Sequence, residues 1–469
     1  MTQDVVVRFY EFGKIPMSRL RGMGVNLSYP ELSHFVEVIN SVHGGEHTVF
    51  SLEYSPRDRE HYLRAHGSVG FAYYVTNGKK ITFQVLPKPF RTDPDDRRSV
   101  QFFLQLLNLV RGMRVGAGEL RALSEEYSRT GDIDELFKSM YVLLLAKALS
   151  EGPYIEYGEV EENSGVLRGR LLMNRMARKP PWKLEVPVRY SVMMEDNPLN
   201  RVLKRALEIV VTTSKWKSTR KLGGMLMGAF VEVGPLRYGD SSRVAFNHLS
   251  ERFRNVFNLA EAIISGFVGI GTRNRVLPGI FVSMDRLFEG LVYHTIRAVL
   301  GGEAEVRAQE SLPHLIKNAR EYEEKRRAMF MMGNPLPDVV VKCKKGRFIV
   351  ESKYRSLSVY LHNQGRSVRK LVRKSSELYQ AYAYAKLVGG GVILIYPRLE
   401  GRYNHWIHDL FEAGERDVLR FFDGTKLAVL GYELSRVGKD VRIEHGAVAV
   451  SDEIREGLKD FLLNFCGDL

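Results

Sequence analysis

Two short apolar runs, Val339-Val340-Val341 and Phe348-Ile349-Val350, flank a turn-like Lys344-Lys345-Gly346. This pattern predicts a β-hairpin, and one too apolar to lie exposed. Pro337-Asp338 leads into the first strand, and Glu351-Ser352-Lys353 closes the second. Strand alternation puts Glu351 and Lys353 on one face and Ser352 on the other. Asp338, on the neighbouring strand, can converge with them. Two carboxylates and a lysine at strand ends are what a magnesium-dependent phosphodiester hydrolase needs. The carboxylates hold a hard, oxygen-loving cation, and the lysine orients water or stabilises charge on the phosphate.

The elements around the hairpin form a definite order. Residues 283–300 read as a helix closed by Gly301-Gly302, and residues 305–309 as a strand. After the hairpin, a helix at 368–388 ends at Gly389-Gly390-Gly391. Residues 392–396, Val-Ile-Leu-Ile-Tyr, are wholly apolar and suit a central buried strand. The order is α-β-β-β-α-β, a mixed sheet flanked by helices.

At 469 residues the chain suggests two to four domains. The start is β-rich, with a strand at 5–10, another at 47–54, and a hairpin at 69–75 and 81–86 turning on Asn77-Gly78. Helical patterns follow at 99–110 and 133–149. Prolines 180, 181, 187 and 198 give residues 179–198 a linker character. Helices are expected at 199–211, started by Asn197-Pro198, and within 244–267. The expected organisation is therefore α/β and multi-domain. A β-rich region spans 1–190, a helical region 191–279, and a mixed α/β domain 280–469. Residues 452–465 read as an amphipathic packing helix.

Lys and Arg number 69 against 55 Asp and Glu, a formal charge of +14. That excess favours a polyanionic partner. No run of about 18 uncharged apolar residues appears, so no membrane span is expected. The opening residues lack the pattern of a signal peptide. The two cysteines, Cys343 and Cys466, argue against a disulfide framework, read as incidental thiols, and fit a cytoplasmic protein.

With Pro337-Asp338 and Glu351-Ser352-Lys353 in this order of elements, the region resembles the PD-(D/E)XK nuclease superfamily. Gln380 and Tyr384, four apart on one helix face, resemble the QxxxY element of its RecB-like branch. Glu289, in Leu287-Phe288-Glu289, lies where such nucleases often carry a helical glutamate. The resemblance implies that Asp338 and Glu351 bind Mg²⁺ or Mn²⁺, with the Ser352 carbonyl and Glu289 as further ligands. It implies that Lys353 assists the nucleophile or transition state, that Gln380 orients the site, and that Tyr384 supports it. Arg366, Arg369, Lys370, Arg373 and Lys374 form a basic cluster, a DNA-contact surface or simply a solvated helix face.

Other segments resemble the McrC family, the nuclease subunit of McrBC modification-dependent restriction systems. They are Tyr10-Glu11-Phe12-Gly13, Leu86-Pro87-Lys88, and Leu167-Arg168-Gly169-Arg170-Leu171. Asp196-Asn197-Pro198-Leu199-Asn200-Arg201 with Leu203-Lys204, Met284 to Glu289, and Tyr379 to Tyr384 complete the series. The resemblance implies docking, through residues 1–190, on a McrB-like AAA+ ring that hydrolyses GTP. It also implies cleavage of double-stranded, modified DNA. No G-x-x-x-x-G-K-[ST] loop occurs, so nucleotide chemistry belongs to the partner. Glu351-Ser352 stands where many relatives have Asp-Ala, and the residues after Pro397 take no place in the resemblance.

His43-Gly44-Gly45-Glu46-His47 has the letters of a zinc-hydrolase helix. Two glycines inside that turn would cost about 2 kcal/mol, so a turn is expected instead. Trp182, Trp216 and Trp406 are expected to pack rather than stack on bases. Two other functions fit the sequence: a non-cleaving assembly factor for the ring, and a stand-alone RecB-like repair nuclease.

Overall fold

The computed structural model describes residues 5–44, 48–76, 79–88, 90, 96–180, 182–267, 275–312, 335–355, 376–399, 404–444 and 446–466. The Asn77-Gly78 turn, the Glu46-His47 half of the histidine motif and the basic cluster 366–374 lie outside them. The chain divides into two compact units. One holds Met1–Val6, Phe71–Phe83 and Asp132–Ile280; the other holds Val7–Gly70, Gln84–Gly131 and Phe281–Leu469. One four-stranded sheet is ordered Val5–Tyr10, Lys79–Leu86, Ser68–Thr76, Arg275–Ser283.

The first unit is built on helices Ile133–Ala148, Pro198–Thr213, Lys217–Leu226 and Arg254–Phe267. Pro198 starts the second of them as expected: the Asn197 side chain accepts the Asn200 N–H at 3.0 Å. The 179–198 stretch is more than a linker. Val186–Met194 is a strand pairing antiparallel with Glu156–Ser164 and with Arg170–Leu171. Pro187 lies beyond the pairing of the short third strand, where a missing N–H is tolerated. This sheet leaves Val166, Leu167, Trp182 and Leu184 exposed, Trp182 by 78% and Leu184 by 93%. Trp182 is thus no packing residue, whereas Trp216 is buried and Trp406 packs on a core. Gly279 sits inside the strand Arg275–Ser283. Its φ is +60°, and a Cβ there would fall 2.0 Å from the Phe71 carbonyl oxygen, so only glycine fits.

The second unit is dominated by a six-stranded sheet, ordered Glu305–Ala308, Val339–Cys343, Gly346–Ser352, Gly391–Arg398, Lys426–Glu433, Val418–Arg420. The first three strands are antiparallel neighbours. Gly346–Ser352, Gly391–Arg398 and Lys426–Glu433 run parallel, and Val418–Arg420 closes the edge antiparallel. The expected order α-β-β-β-α-β is observed as Met284–Leu300, three strands, Ser376–Val388 and Gly391–Arg398.

Side-chain alternation sorts the two faces. Val340, Ile349, Val392 and Leu394 join Ala381 and Ala385 of helix Ser376–Val388 in one core. Phe348 turns the other way, its ring 5.5 Å from Phe465 of helix Asp452–Cys466. That terminal helix buries Leu458, Phe461, Leu462 and Phe465, as its amphipathic pattern predicts. The segment after Pro397 thus supplies a parallel core strand and a covering helix.

Cys343 and Cys466 are joined in a disulfide, their Cα atoms 6.4 Å apart. The reading of both as incidental thiols is corrected by tertiary packing. The terminal helix lies against the strands Val339–Cys343 and Gly346–Ser352, and brings its last residues to the hairpin turn. A separation of 123 residues left no local signal of this pairing.

Candidate active site

The hairpin turns at Lys344-Lys345 and pairs Val340 with Ile349. Continuing that register by two residues places Asp338 opposite Glu351. The Asp338 N–H points to Glu351 Oε2 at 3.4 Å. Asp338 shares the face of Val340, and Glu351 that of Ile349, so both carboxylates belong to the side covered by helix Ser376–Val388. Lys353 follows on that side, its Nζ 2.6 Å from Glu351 Oε1.

Ser352 departs from strict alternation. Its N–H and its hydroxyl both donate to Asp338 Oδ2, each at 2.7 Å. Pairing within the hairpin ends at Val339 and Val350, so the Asp338 carboxylate lies beyond the strand end and can turn across the Ser352 backbone.

The third carboxylate arrives from helix Met284–Leu300. Ser283 caps that helix and Gly301, at φ +51°, ends it. Burial pushes Glu289 up to about 8, helped by the charges of Asp338, Asp285 and Glu351. Burial raises Asp338 against the Ser352 hydrogen bonds, and raises Glu351 with the Asp338 charge adding to it. Burial opposes the Lys353 ammonium, but Glu351, Asp338 and Glu377 outweigh it and hold the lysine above its usual range. One lysine thus faces a larger number of buried and half-buried acids, an imbalance that invites a cation.

Gln380 and Tyr384 share a helix face, and Gln380 Nε2 donates to Tyr384 Oη at 3.0 Å. The structure therefore brings Asp338, Glu351 and Lys353 into contact, sets Glu289 where their charges act on it, and ties Gln380 to Tyr384.

Sequence reasoning missed the supports of this cluster. Asp285 lies one helical turn before Glu289, a spacing visible in the sequence. Glu377 accepts the Tyr396 hydroxyl at 2.9 Å and pairs with Arg355. Asn404 Nδ2 donates to the Arg355 and Pro397 carbonyls at 3.0 and 2.7 Å. Tyr354 donates to Glu11 Oε2 at 3.1 Å. Most of these partners are remote in sequence, so no spacing could reveal them.

The Asp196–Lys204 motif proves to be a structural staple. Arg201 is paired with Asp196 at 2.6 Å and with the fully buried Asp240 at 3.4 Å. Asn200 donates to the Tyr154 and Glu195 carbonyls at 2.7 and 2.8 Å, and Lys204 donates to the Val233 carbonyl at 2.5 Å. The Arg201 guanidinium holds Asp196 down at about 2.

Among the described residues, no three His, Cys, Asp or Glu side chains already stand as a preformed metal cage. A Mg²⁺ site does not require one, because that ion keeps several waters and binds through one or two carboxylates. Asp338 and Glu351, opposed and under-neutralised, fit such an ion. No helix among the described residues is long and apolar enough to cross a membrane.

This fold and site define a mixed α/β protein with a carboxylate–lysine cluster at the end of a buried hairpin. A family model described as "McrBC 5-methylcytosine restriction system component" matches residues 63–397. The chain belongs to that family. One chain of a refined half-complex from a tetradecameric assembly of Thermococcus gammatolerans McrB AAA+ hexamers with bound McrC superposes with a TM-score of 0.61. It is 21% identical, with 98% of this chain and 99% of that chain covered. That likeness is one of fold. A chain of the cryo-EM structure of the Thermococcus gammatolerans McrBC complex matches at TM-score 0.44 and 24% identity, over 63% of this chain and 88% of that one. No curated protein matches.

Proposed function

We propose that this chain is the metal-dependent endonuclease subunit of a McrBC-like restriction system. In this reading it docks on a GTP-hydrolysing McrB-like AAA+ ring and cleaves double-stranded, modified DNA. The observation that carries the reading is the Asp338–Glu351 pair, opposed across the hairpin with Lys353 on Glu351. Family membership supports the system, and the likeness to a chain from McrB hexamers with bound McrC supports the partner.

Asp338 and Glu351 would hold Mg²⁺ or Mn²⁺, with the Ser352 carbonyl and Glu289 as further ligands. The bound ion supplies positive charge to the phosphate and a more acidic water. Lys353 holds a proton in a pocket of carboxylates and presents its ammonium to the scissile phosphate. Ser352 fixes the Asp338 rotamer through its two hydrogen bonds. Gln380 and Tyr384 orient the helix face over the site, and the basic residues 366, 369, 370, 373 and 374 contact the DNA backbone. This PD-(D/E)XK reading belongs to the 280–469 region, and docking to the 1–190 region. The exposed Trp182 and Leu184 support docking, since isolated proteins seldom leave such residues fully in water. GTP would be bound by the ring, and no membrane is involved.

The test is cleavage of modified duplex DNA with Mg²⁺, GTP and the ring, with a chelator arm. Cutting that needs the metal supports the proposal. GTPase stimulation without cutting under any metal would favour the assembly-factor reading instead.

A further inference from the structure

Glu11 is only 2% exposed, and the Tyr354 side chain bonds to it. Its Oε2 receives the Tyr354 hydroxyl at 3.1 Å. A carboxyl group buried this way is unfavourable, and a leucine would fill the space without that penalty. Its backbone is firmly held. The Glu11 N–H donates to the Leu86 carbonyl at 3.1 Å, Phe12 adopts φ +60°, and the Gly13 N–H closes a turn on Tyr10 at 2.9 Å.

The partner at the other end is equally constrained. Tyr354 is 4% exposed and follows Lys353 directly. Its ring lies 5.7 Å from Phe288, the neighbour of Glu289. Tyr354 is therefore the point at which the lysine and the glutamate helix share one support. We propose that Glu11 is a positioning residue that acts through Tyr354 to hold Lys353 against Glu351. This rests on the nuclease reading of the same site.

The groups facing Glu11 are Tyr354, Asp285 and Lys88. Burial first, then Asp285, raises its carboxyl, while the Tyr354 hydroxyl, the Lys88 N–H and the Lys88 charge lower it. The result is about 8, so glutamine mimics the form that prevails near neutrality. The role is steric and directional, since an ammonium displaced by even about 1 Å loses much of its catalytic value.

The experiment measures single-turnover cleavage by the full chain with its ring, GTP and Mg²⁺. Glu11→Ala and Tyr354→Phe should each slow cutting about 10-fold or more at saturating DNA. Affinity for DNA and GTPase stimulation should stay within about 2-fold. Glu11→Gln should restore the rate, and the double variant should lose no more than either single one. Wild-type cutting by Tyr354→Phe, or multiplied losses in the double variant, would overturn the proposal. Tyr354→Phe removes one oxygen only, so it decides the matter even where Glu11→Ala fails to fold. Asp338→Ala runs alongside: if it cuts like wild type, the nuclease reading of the site is what fails.

Discussion

Asp338 and Glu351 face one another across the open end of a two-residue-turn hairpin, the N–H of the first 3.4 Å from the carboxylate of the second. Thirteen residues of sequence separate them, and the register that pairs Val340 with Ile349 closes that gap. The juxtaposition follows from strand pairing alone, and both positions continue an apolar face into the sheet end.

Burial, reinforced by neighbouring carboxylates, leaves a pH signature at Glu289. The Glu289 carboxyl stands at about 8 against an ordinary 4.5, so the folded chain holds this proton more tightly than the unfolded one. The associated stability is fully present below about pH 4.5 and is lost as pH rises through about 8. Metal-free protein should therefore melt at lower temperature as pH climbs through that window. Glu289→Gln should flatten the slope in thermal melts; an unchanged slope would refute the assignment.

Arg201 should matter to stability and not to chemistry. Removing it strands the buried Asp240 and releases Asp196. Arg201→Ala should cost about 3–5 kcal/mol in denaturant unfolding. Cleavage per folded molecule should be unchanged.

The Cys343–Cys466 bond ties the terminal helix to the hairpin turn. Loss of the bond, by Cys466→Ser or by reductant, should destabilise the chain by about 2–5 kcal/mol. Equal melting with and without reductant would count against it.

Trp182 and Leu184 stand almost fully in water. Trp182→Ala with Leu184→Ser should leave the melting temperature within about 2 °C, as surface changes do. The concentration for half-maximal GTPase stimulation should rise about 10-fold, the loss typical of interface anchors. An unchanged titration would move docking elsewhere.

Much of the candidate site's geometry was legible because its signals are local. Asp338, Glu351 and Lys353 lie on one hairpin, and Gln380 and Tyr384 one turn apart on a helix. The apolar run 392–396 gave the central strand for the same reason. The missed features are contacts between distant segments: Glu11 with Tyr354, Cys343 with Cys466, and Asn404 with Arg355. Prolines misled at 179–198, since Pro187 is tolerated near a strand end. Trp182 misled because composition cannot show which tryptophans a small sheet leaves uncovered.

The most direct measurement compares wild type with Asp338→Ala and Glu351→Ala for cleavage of modified DNA, with Mg²⁺, GTP and the ring present. The account predicts that each variant loses at least about 100-fold in cutting while stimulating the GTPase normally. Cutting by either variant at the wild-type rate would contradict it.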